Sequence, residues 1–411
     1  MAPLSSRRAE GSAHPQFERV ARTFEHQLAR TPGGAAVAVY YRGKLVVDLW
    51  GGRRTVEGDP WKRDTLALGA STTKGVAATA AHILADRSLL EYDAPVADYW
   101  PEFAQNGKEA ITVRQVLSHS AGLHRLRTLI DHGYRVLDWD HMVDALSRAA
   151  PSYEPGTSVG YHGLMYGWLV GELVRRISGQ PIAEFVQREI AEPLGVDGLF
   201  IGCPPEARHR IAPSALVKKV RTPPPLKPLV RLGRRQLGWF LSAVHSPLNL
   251  RRYDNMSGGR GVRYAMASPA MLDASIPSAN GFFDAVSLAR MYAMLAGGGA
   301  IEGVRLLSPP TVARLSEIQH DERDRMVLMR MRWRLGYHGI IGAQKVLPKA
   351  FGHFGYGGSG AWADPGHDLA LAMVCSRGTG TPMGDQRIVQ LTRAVAASVG
   401  SSFPTMPLAM A

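Results

Sequence analysis

Leu68-Gly69-Ala70-Ser71-Thr72-Thr73-Lys74-Gly75-Val76 sets a hydroxyl and an amine three residues apart where a helix is about to begin. The chain then reads Ala77-Ala78-Thr79-Ala80-Ala81-His82-Ile83-Leu84, rich in helix formers. Residues at i and i+3 share a helix face, so Lys74 stands one turn from Ser71 on the same side. A serine in a first turn also sits among free backbone N–H groups at the positive end of the helix dipole, which suits negative charge developing on an oxygen. Ser-x-x-Lys alone is loose enough to occur about once by chance in a chain this size. Taken by itself, it reads sooner as a capped helix start than as a nucleophile.

The 411 residues can bury a large core, and 45% hydrophobic with 20% charged residues describes an ordinary folded chain. Residues 1–16 mix Arg7, Arg8 and Glu10 with prolines and serines and contain no apolar run, so the expectation is a cytoplasmic protein without an export signal. No later stretch has the uninterrupted apolar length of a spanning helix. Cys203 and Cys375 lie too far apart for a disulfide framework or a zinc pattern, and Cys375 reads as a buried strand residue. No cofactor and no metal are expected.

Working outward, Phe17 to Ala29 has helical spacing, and Ala35–Tyr41 with Lys44–Leu49 reads as a hairpin around Arg42-Gly43. Helical patterns follow at 113–117, 142–149, 164–177, 182–190 and 282–295. Strand-like runs return at 332–337, 353–363 and 369–375, before a last helix over 386–399. Strands at both ends with helices between predict an α/β (α+β) fold. A mainly antiparallel sheet comes from 15–95 and 280–400, a mainly helical part from 96–279, and the active site lies at their junction. Residues 1–14 and 401–411 are expected to be flexible tails.

Two further segments could complete a site. Pro155-Gly156-Thr157-Ser158-Val159-Gly160-Tyr161-His162-Gly163 delivers one tyrosine from a turn-rich stretch just before a helix. A phenol is a poor base unless a neighbouring ammonium such as Lys74 favours its phenolate. The second segment is Gly352-His353-Phe354-Gly355-Tyr356-Gly357-Gly358-Ser359-Gly360. Its dense glycines in a strand-like run imply a close approach of backbone to a neighbour, and a strand edge by a cleft can donate an N–H to an oxyanion. Each also has a plain structural reading, as a packing tyrosine and as a bulged strand.

Together, and in this order, the three segments resemble the motifs of the serine β-lactamase, penicillin-binding protein and family VIII carboxylesterase superfamily. The resemblance extends through Leu117-Ser118-His119-Ser120-Ala121-Gly122-Leu123 and Tyr161 to Trp168, and covers about Phe24 to Val399. It implies a β-lactamase/transpeptidase-like fold with Ser71 as acylated nucleophile and Lys74 with Tyr161 as a coupled base. The N–H groups of Ser71 and Tyr356, the residue after Gly355, would form the oxyanion hole. His353 stands where many relatives carry lysine and would hydrogen-bond the Tyr161 oxygen. A second register, pivoting on Tyr356-Gly357-Gly358, would match the Trp-Gly-Gly form of some esterases and move the donor, but His353-x-Gly355 is preferred. Gly357 and Gly358 are candidate substrate contacts, as is Asn280, which matches a loop bordering the cleft.

Two departures favour the esterase branch. Gly163 stands where β-lactamases place an asparagine, and the third motif lacks its lysine. A neutral ester needs neither group. The expectation is a serine carboxylic-ester hydrolase, esterase or lipase-like, acting on a small-molecule or lipid ester. Its alternatives are an acyltransferase or weak β-lactamase on the same fold, or a basic membrane-binding scaffold without catalysis.

The net charge of +13 has a local source. Between Pro213 and Tyr253 lie Lys218, Lys219, Arg221, Lys227, Arg231, Arg234, Arg235, Arg251 and Arg252 with no acidic residue. A helix over 229–244 would gather Arg231, Arg234 and Arg235 opposite an apolar face with Trp239 and Phe240. Such an insertion fits a solvated surface helix, a lid, or peripheral contact with an anionic membrane. No helix-turn-helix, zinc or RNA-binding signature accompanies it, so no nucleic-acid partner is expected.

Overall fold

Leu369–Cys375 is buried along its whole length and alternates between two environments, which makes it a central strand. Ala370, Ala372 and Val374 face a core that includes Leu288, Ala289 and Tyr292, whereas Leu369, Leu371, Met373 and Cys375 face one built on Phe24, Leu28, Ile388, Leu391 and Val395. A sheet covered by helices on both faces follows directly. The computed structural model describes residues 9–214, 258–377 and 385–400.

The main sheet has seven strands in the order β1-β3-β2-β12-β11-β10-β9, every neighbouring pair antiparallel. They are β1 Glu10–Ala13, β2 Gly34–Tyr41, β3 Lys44–Gly52, β9 His338–Gly339, β10 Phe351–Phe354, β11 Gly360–Asp364 and β12 Leu369–Cys375. Both ends of the chain thus build one sheet in a β-lactamase/transpeptidase-like fold. Arg42 and Gly43, with φ of 52° and 71°, turn β2 into β3 as their positions predicted. Helix α1 (Glu18–Arg30) and the last helix (Gln386–Ser398) cover one face. On the other, Ala36, Ala38, Ala361, Ala363, Ala370 and Ala372 keep the surface low, so the helix Ala285–Ala296 packs closely.

Behind that helix runs α2 (Thr73–Asp86), buried from Thr73 to Leu84 on every side. A helix buried all round belongs in the middle of a core rather than at its surface. Gly75 permits the contact, since a β-carbon there would lie 2.1 Å from the Tyr292 hydroxyl. Helices α3 (Val113–Leu117), α4 (Trp139–Arg148), α5 (Met165–Ser178) and α6 (Ile182–Val186) form the helical part. A small sheet, β4 (Ala67–Leu68) with β6 (Gly281–Phe283) and β5 (Leu199–Ile201), leads into the start of α2.

Three expectations are corrected. Residues 10–13 are not tail: they pair with Val47–Trp50 of β3, and Gly11 (φ 101°) allows it, since a β-carbon there would meet the Asp48 carbonyl at 2.0 Å. The run 332–337 is not a strand, because Arg332 (φ 50°) and Gly336 (φ 85°) break the extended backbone. The run 353–363 is not continuous either: residues 355–359 turn between β10 and β11. Residues 1–8, the tail 401–411 and, beyond residue 214, the basic insertion lie outside the described residues. Among the described residues no helix is long and apolar enough to cross a membrane.

Candidate active site

Ser71 lies in a 3-10 turn, Ala70–Thr72, that feeds α2. Ala70 is held at φ 45°, unusual for a residue with a β-carbon, and this aims the next side chain out of the helix line. The turn is clamped on both sides. Gly69 donates its N–H to the Gly281 carbonyl (2.8 Å), and the Thr73 hydroxyl bonds the Ala70 carbonyl (2.6 Å) while accepting from the Gly281 N–H (2.9 Å).

Lys74 Nζ is 3.2 Å from Ser71 Oγ and donates to the Ser278 carbonyl at 2.9 Å. The side chain is 0% exposed, and burial holds the amine well below the usual lysine range. A neutral amine can accept a proton, which an ammonium cannot. The Tyr161 phenol oxygen is 2.9 Å from Ser71 Oγ, and Lys74 Nζ stands 4.9 Å from the centre of its ring. Ser71, Lys74 and Tyr161 therefore meet, although 90 residues separate the serine from the tyrosine.

The third segment closes on the same point. Gly355 packs against Gly69, the Thr72 hydroxyl donates to the Ser359 carbonyl (3.1 Å), and the Ser359 hydroxyl donates to the Leu68 carbonyl (3.3 Å). These contacts hold the β10–β11 turn beside the first turn of α2. The Gly355 N–H is spent on the Ser359 carbonyl (2.8 Å), and among the described residues no acceptor takes the Tyr356 N–H.

His353 and Asn280 do not make their expected contacts. His353 Nδ1 donates to the Phe354 carbonyl (3.1 Å) and its ring centre is 6.1 Å from that of Tyr161, so the predicted bond to the phenol is not made. Burial first, then His338 and Lys74, hold His353 well below the ordinary histidine value, so it supplies no third-motif cation. A β-carbon at Gly358 would lie 2.5 Å from Asp385 Oδ2, and the Gly357 carbonyl accepts from the Cys375 thiol. Both glycines shape the turn. The Asn280 amide is fully engaged by its own loop, accepting from the Ile276 N–H (2.9 Å) and donating to the Met271 and Ala274 carbonyls (3.0 and 2.7 Å). It stabilises the loop whose Ser278 carbonyl holds Lys74.

Sequence reasoning missed Ser278, Asp324 and Trp333. Trp333 stacks on the Tyr161 ring at 5.4 Å and 9°, and Asp324 Oδ2 accepts from both the Tyr161 N–H (3.0 Å) and the Trp333 indole (2.9 Å). Neither sits in a recognisable motif, so no sequence signal marked them. Among the described residues no group of His, Cys, Asp or Glu side chains is arranged to hold a metal ion.

A serine at the start of a buried helix, with a lysine and a tyrosine on its hydroxyl and a strand turn beside it, is the arrangement of the esterase/β-lactamase type. The chain belongs to the Beta-lactamase family, whose model matches residues 20–396. It is 39% identical over 381 residues to the esterase/beta-lactamase LipL of Mycobacterium tuberculosis, covering 91% of this chain and 84% of that protein. The crystal structure of a family VIII carboxylesterase superposes with a TM-score of 0.83 at 31% identity, over 95% of this chain and 99% of that one. A penicillin-binding protein homologue from Caulobacter crescentus follows with a TM-score of 0.79 at 33% identity, over 95% and 99%.

Proposed function

We propose that this carboxylesterase of the β-lactamase-like family cleaves small-molecule or lipid esters through an acyl-Ser71 intermediate, with Lys74 and Tyr161 as its shared base. The observation that carries the reading is the placement of Ser71 Oγ within 3.2 Å of a buried amine and 2.9 Å of a phenol. One proton is distributed over the pair, as phenol with amine or phenolate with ammonium, and the first form takes the serine proton on the Lys74 amine. Ser71 Oγ then attacks the ester carbonyl carbon. The carbonyl oxygen gains the negative charge, next to the amides of Ser71 and Tyr356. On collapse the bond to the alkoxy oxygen breaks and Tyr161 returns the proton to the departing alcohol. A water gives its proton to the same pair and attacks the acyl carbon, the carboxylic acid leaves, and Ser71 regains its hydrogen.

An ester is neutral at the reacting group and asks for no cation in the third motif, which agrees with a neutral, buried His353 and with Gly163 in the asparagine position. Ser71→Ala should keep the fold by circular dichroism, lose p-nitrophenyl ester turnover, and lose labelling by a fluorophosphonate probe. Turnover near the wild-type rate in Ser71→Ala would refute the nucleophile.

A further inference from the structure

Residues 317–333 contain no helix or strand, yet they fold back on themselves through the bridges His320 to Trp333 and Arg323 to Arg330. Asp324 sits near the tip of this loop, but its side chain points inward and is fully buried. Four N–H groups converge on its carboxylate. Oδ1 accepts from Met326 (2.7 Å) and Val327 (3.0 Å), and Oδ2 from Tyr161 (3.0 Å) and the Trp333 indole (2.9 Å). Four donors facing two oxygens suit an acceptor-only group, whereas an asparagine there would turn its own N–H groups toward two of them. Taking a carboxylate out of water is costly unless it is fully hydrogen-bonded, so the arrangement would not arise from loop packing alone.

The loop is fastened to the tyrosine segment elsewhere too. Arg325 donates its N–H to the Val159 carbonyl (2.9 Å), and its guanidinium lies 5.0 Å over the Tyr153 ring. Val159, Tyr161, Met331 and Trp333 form a small apolar cluster of their own, separate from the two main cores. The Tyr161 ring also meets His119 at 5.0 Å and 72°. The Tyr161 main chain and its stacking partner are both tied to one carboxylate, and Leu328 is held at φ 60° to close the loop around it.

We propose that Asp324 is a positioning residue for the acyl-transfer site, locking the Tyr161 main chain and the Trp333 ring into one unit that keeps the phenol on Ser71. The inference rests on the acyl-Ser71 reading above. Asp324 touches neither serine nor substrate and acts only through Tyr161 and Trp333. A reacting group displaced by about 1 Å can lose about a hundredfold in rate, so even a partial release of this unit registers in turnover.

The test uses the full chain and p-nitrophenyl acetate and butyrate. Asp324→Asn should lower kcat by about tenfold or more with KM held within about twofold, and should slow fluorophosphonate labelling of Ser71 by a similar factor. Trp333→Phe keeps an aromatic face but not the indole N–H, and should lose about three- to tenfold in kcat at unchanged KM. Because both act through one link, the double variant should fall no more than about twofold below Asp324→Asn. A folded Asp324→Asn with full kcat, or losses that multiply in the double variant, overturns the proposal. If Asp324→Asn does not fold, Trp333→Phe decides: full kcat overturns the link, and a loss confined to kcat supports it. Turnover that survives in Ser71→Ala would instead bring down the acyl-serine reading, so the two failures are told apart.

Discussion

Gly355 lies so close to Gly69 that a β-carbon at 355 would fall 2.1 Å from the Gly69 carbonyl oxygen. The contact joins two segments 286 positions apart and holds the β10–β11 turn against the turn that carries Ser71. Its negative φ means that space, not backbone conformation, is what requires glycine. Gly355→Ala must push the β10–β11 turn off the serine turn. It should destabilise the protein by about 1–3 kcal/mol and cut kcat/KM for p-nitrophenyl esters by about a hundredfold. Denaturant unfolding and steady-state kinetics on the same preparation check both, and an alanine variant with wild-type kcat/KM would mean that this turn does not build the oxyanion site.

How much of this was legible beforehand depends on whether an interaction is local in sequence. Ser71 and Lys74 are one helical turn apart, so their meeting follows from the helix period, and the hairpin at Arg42-Gly43 follows from a glycine able to take positive φ between two β-rich runs. The alternation of β12 likewise marks a two-faced central strand. Tyr161 could be singled out by its turn-rich setting and by the resemblance, but its distance to Ser71 depends on contacts between segments remote along the chain and was beyond the sequence. The glycine-dense third motif pointed correctly to close backbone approach and misled about a continuous strand, because glycine serves bulges and turns alike. His353 and Asn280 were misread for a common reason: a polar side chain can spend its hydrogen bonds on nearby main chain, and only coordinates reveal that it has. Asp324 and Trp333 carry no pattern at all.

Restoring a lysine to the third motif should not restore β-lactamase chemistry. His353 is fully buried beside Lys74 and His338, and burial first, then these two groups, favour its neutral form. A second amine there would be desolvated next to the first. His353→Lys should lower the unfolding free energy by about 3–5 kcal/mol, with no gain in nitrocefin hydrolysis. Chemical denaturation and a nitrocefin assay decide the matter, and wild-type stability together with new nitrocefin turnover would contradict it.

Asp284 offers a stability test away from the chemistry. It caps the helix Ala285–Ala296, accepting from the Ser287 N–H (2.7 Å) and hydroxyl (2.7 Å), with Arg210 at 3.6 Å. Burial outweighs these contacts and pushes its carboxyl up to about 6 from 3.8. The folded state thus holds this proton more tightly than the unfolded state. Its contribution to stability is fully present below pH 3.8 and is lost as pH rises through about 6, a swing of roughly 3 kcal/mol. Asp284→Asn keeps the cap without the titration, and Arg210 retains Asp64 and Asp197 at 3.5 Å. Relative to wild type, the asparagine variant should gain stability between pH 4.5 and pH 8. Urea unfolding at the two pH values would show a constant difference if Asp284 does not titrate in this range.

Lys74 makes the sharpest prediction for activity. Desolvation favours its neutral form, so the working base must appear well below the ordinary lysine range near 10.4. Activity should rise with pH as the Lys74 and Tyr161 pair sheds a proton, and the acid limb of kcat/KM reports the free enzyme's pair rather than either residue alone. Lys74→Arg keeps a charge that does not ionise and would bring a permanent cation beside the Tyr161 ring. It should lose activity by about a thousandfold or more, with no recovery up to pH 10, because one general base contributes about a hundred- to ten-thousandfold. A wild-type profile still climbing through pH 10, or an arginine variant recovering at high pH, would show that Lys74 remains an ammonium and that the base lies elsewhere.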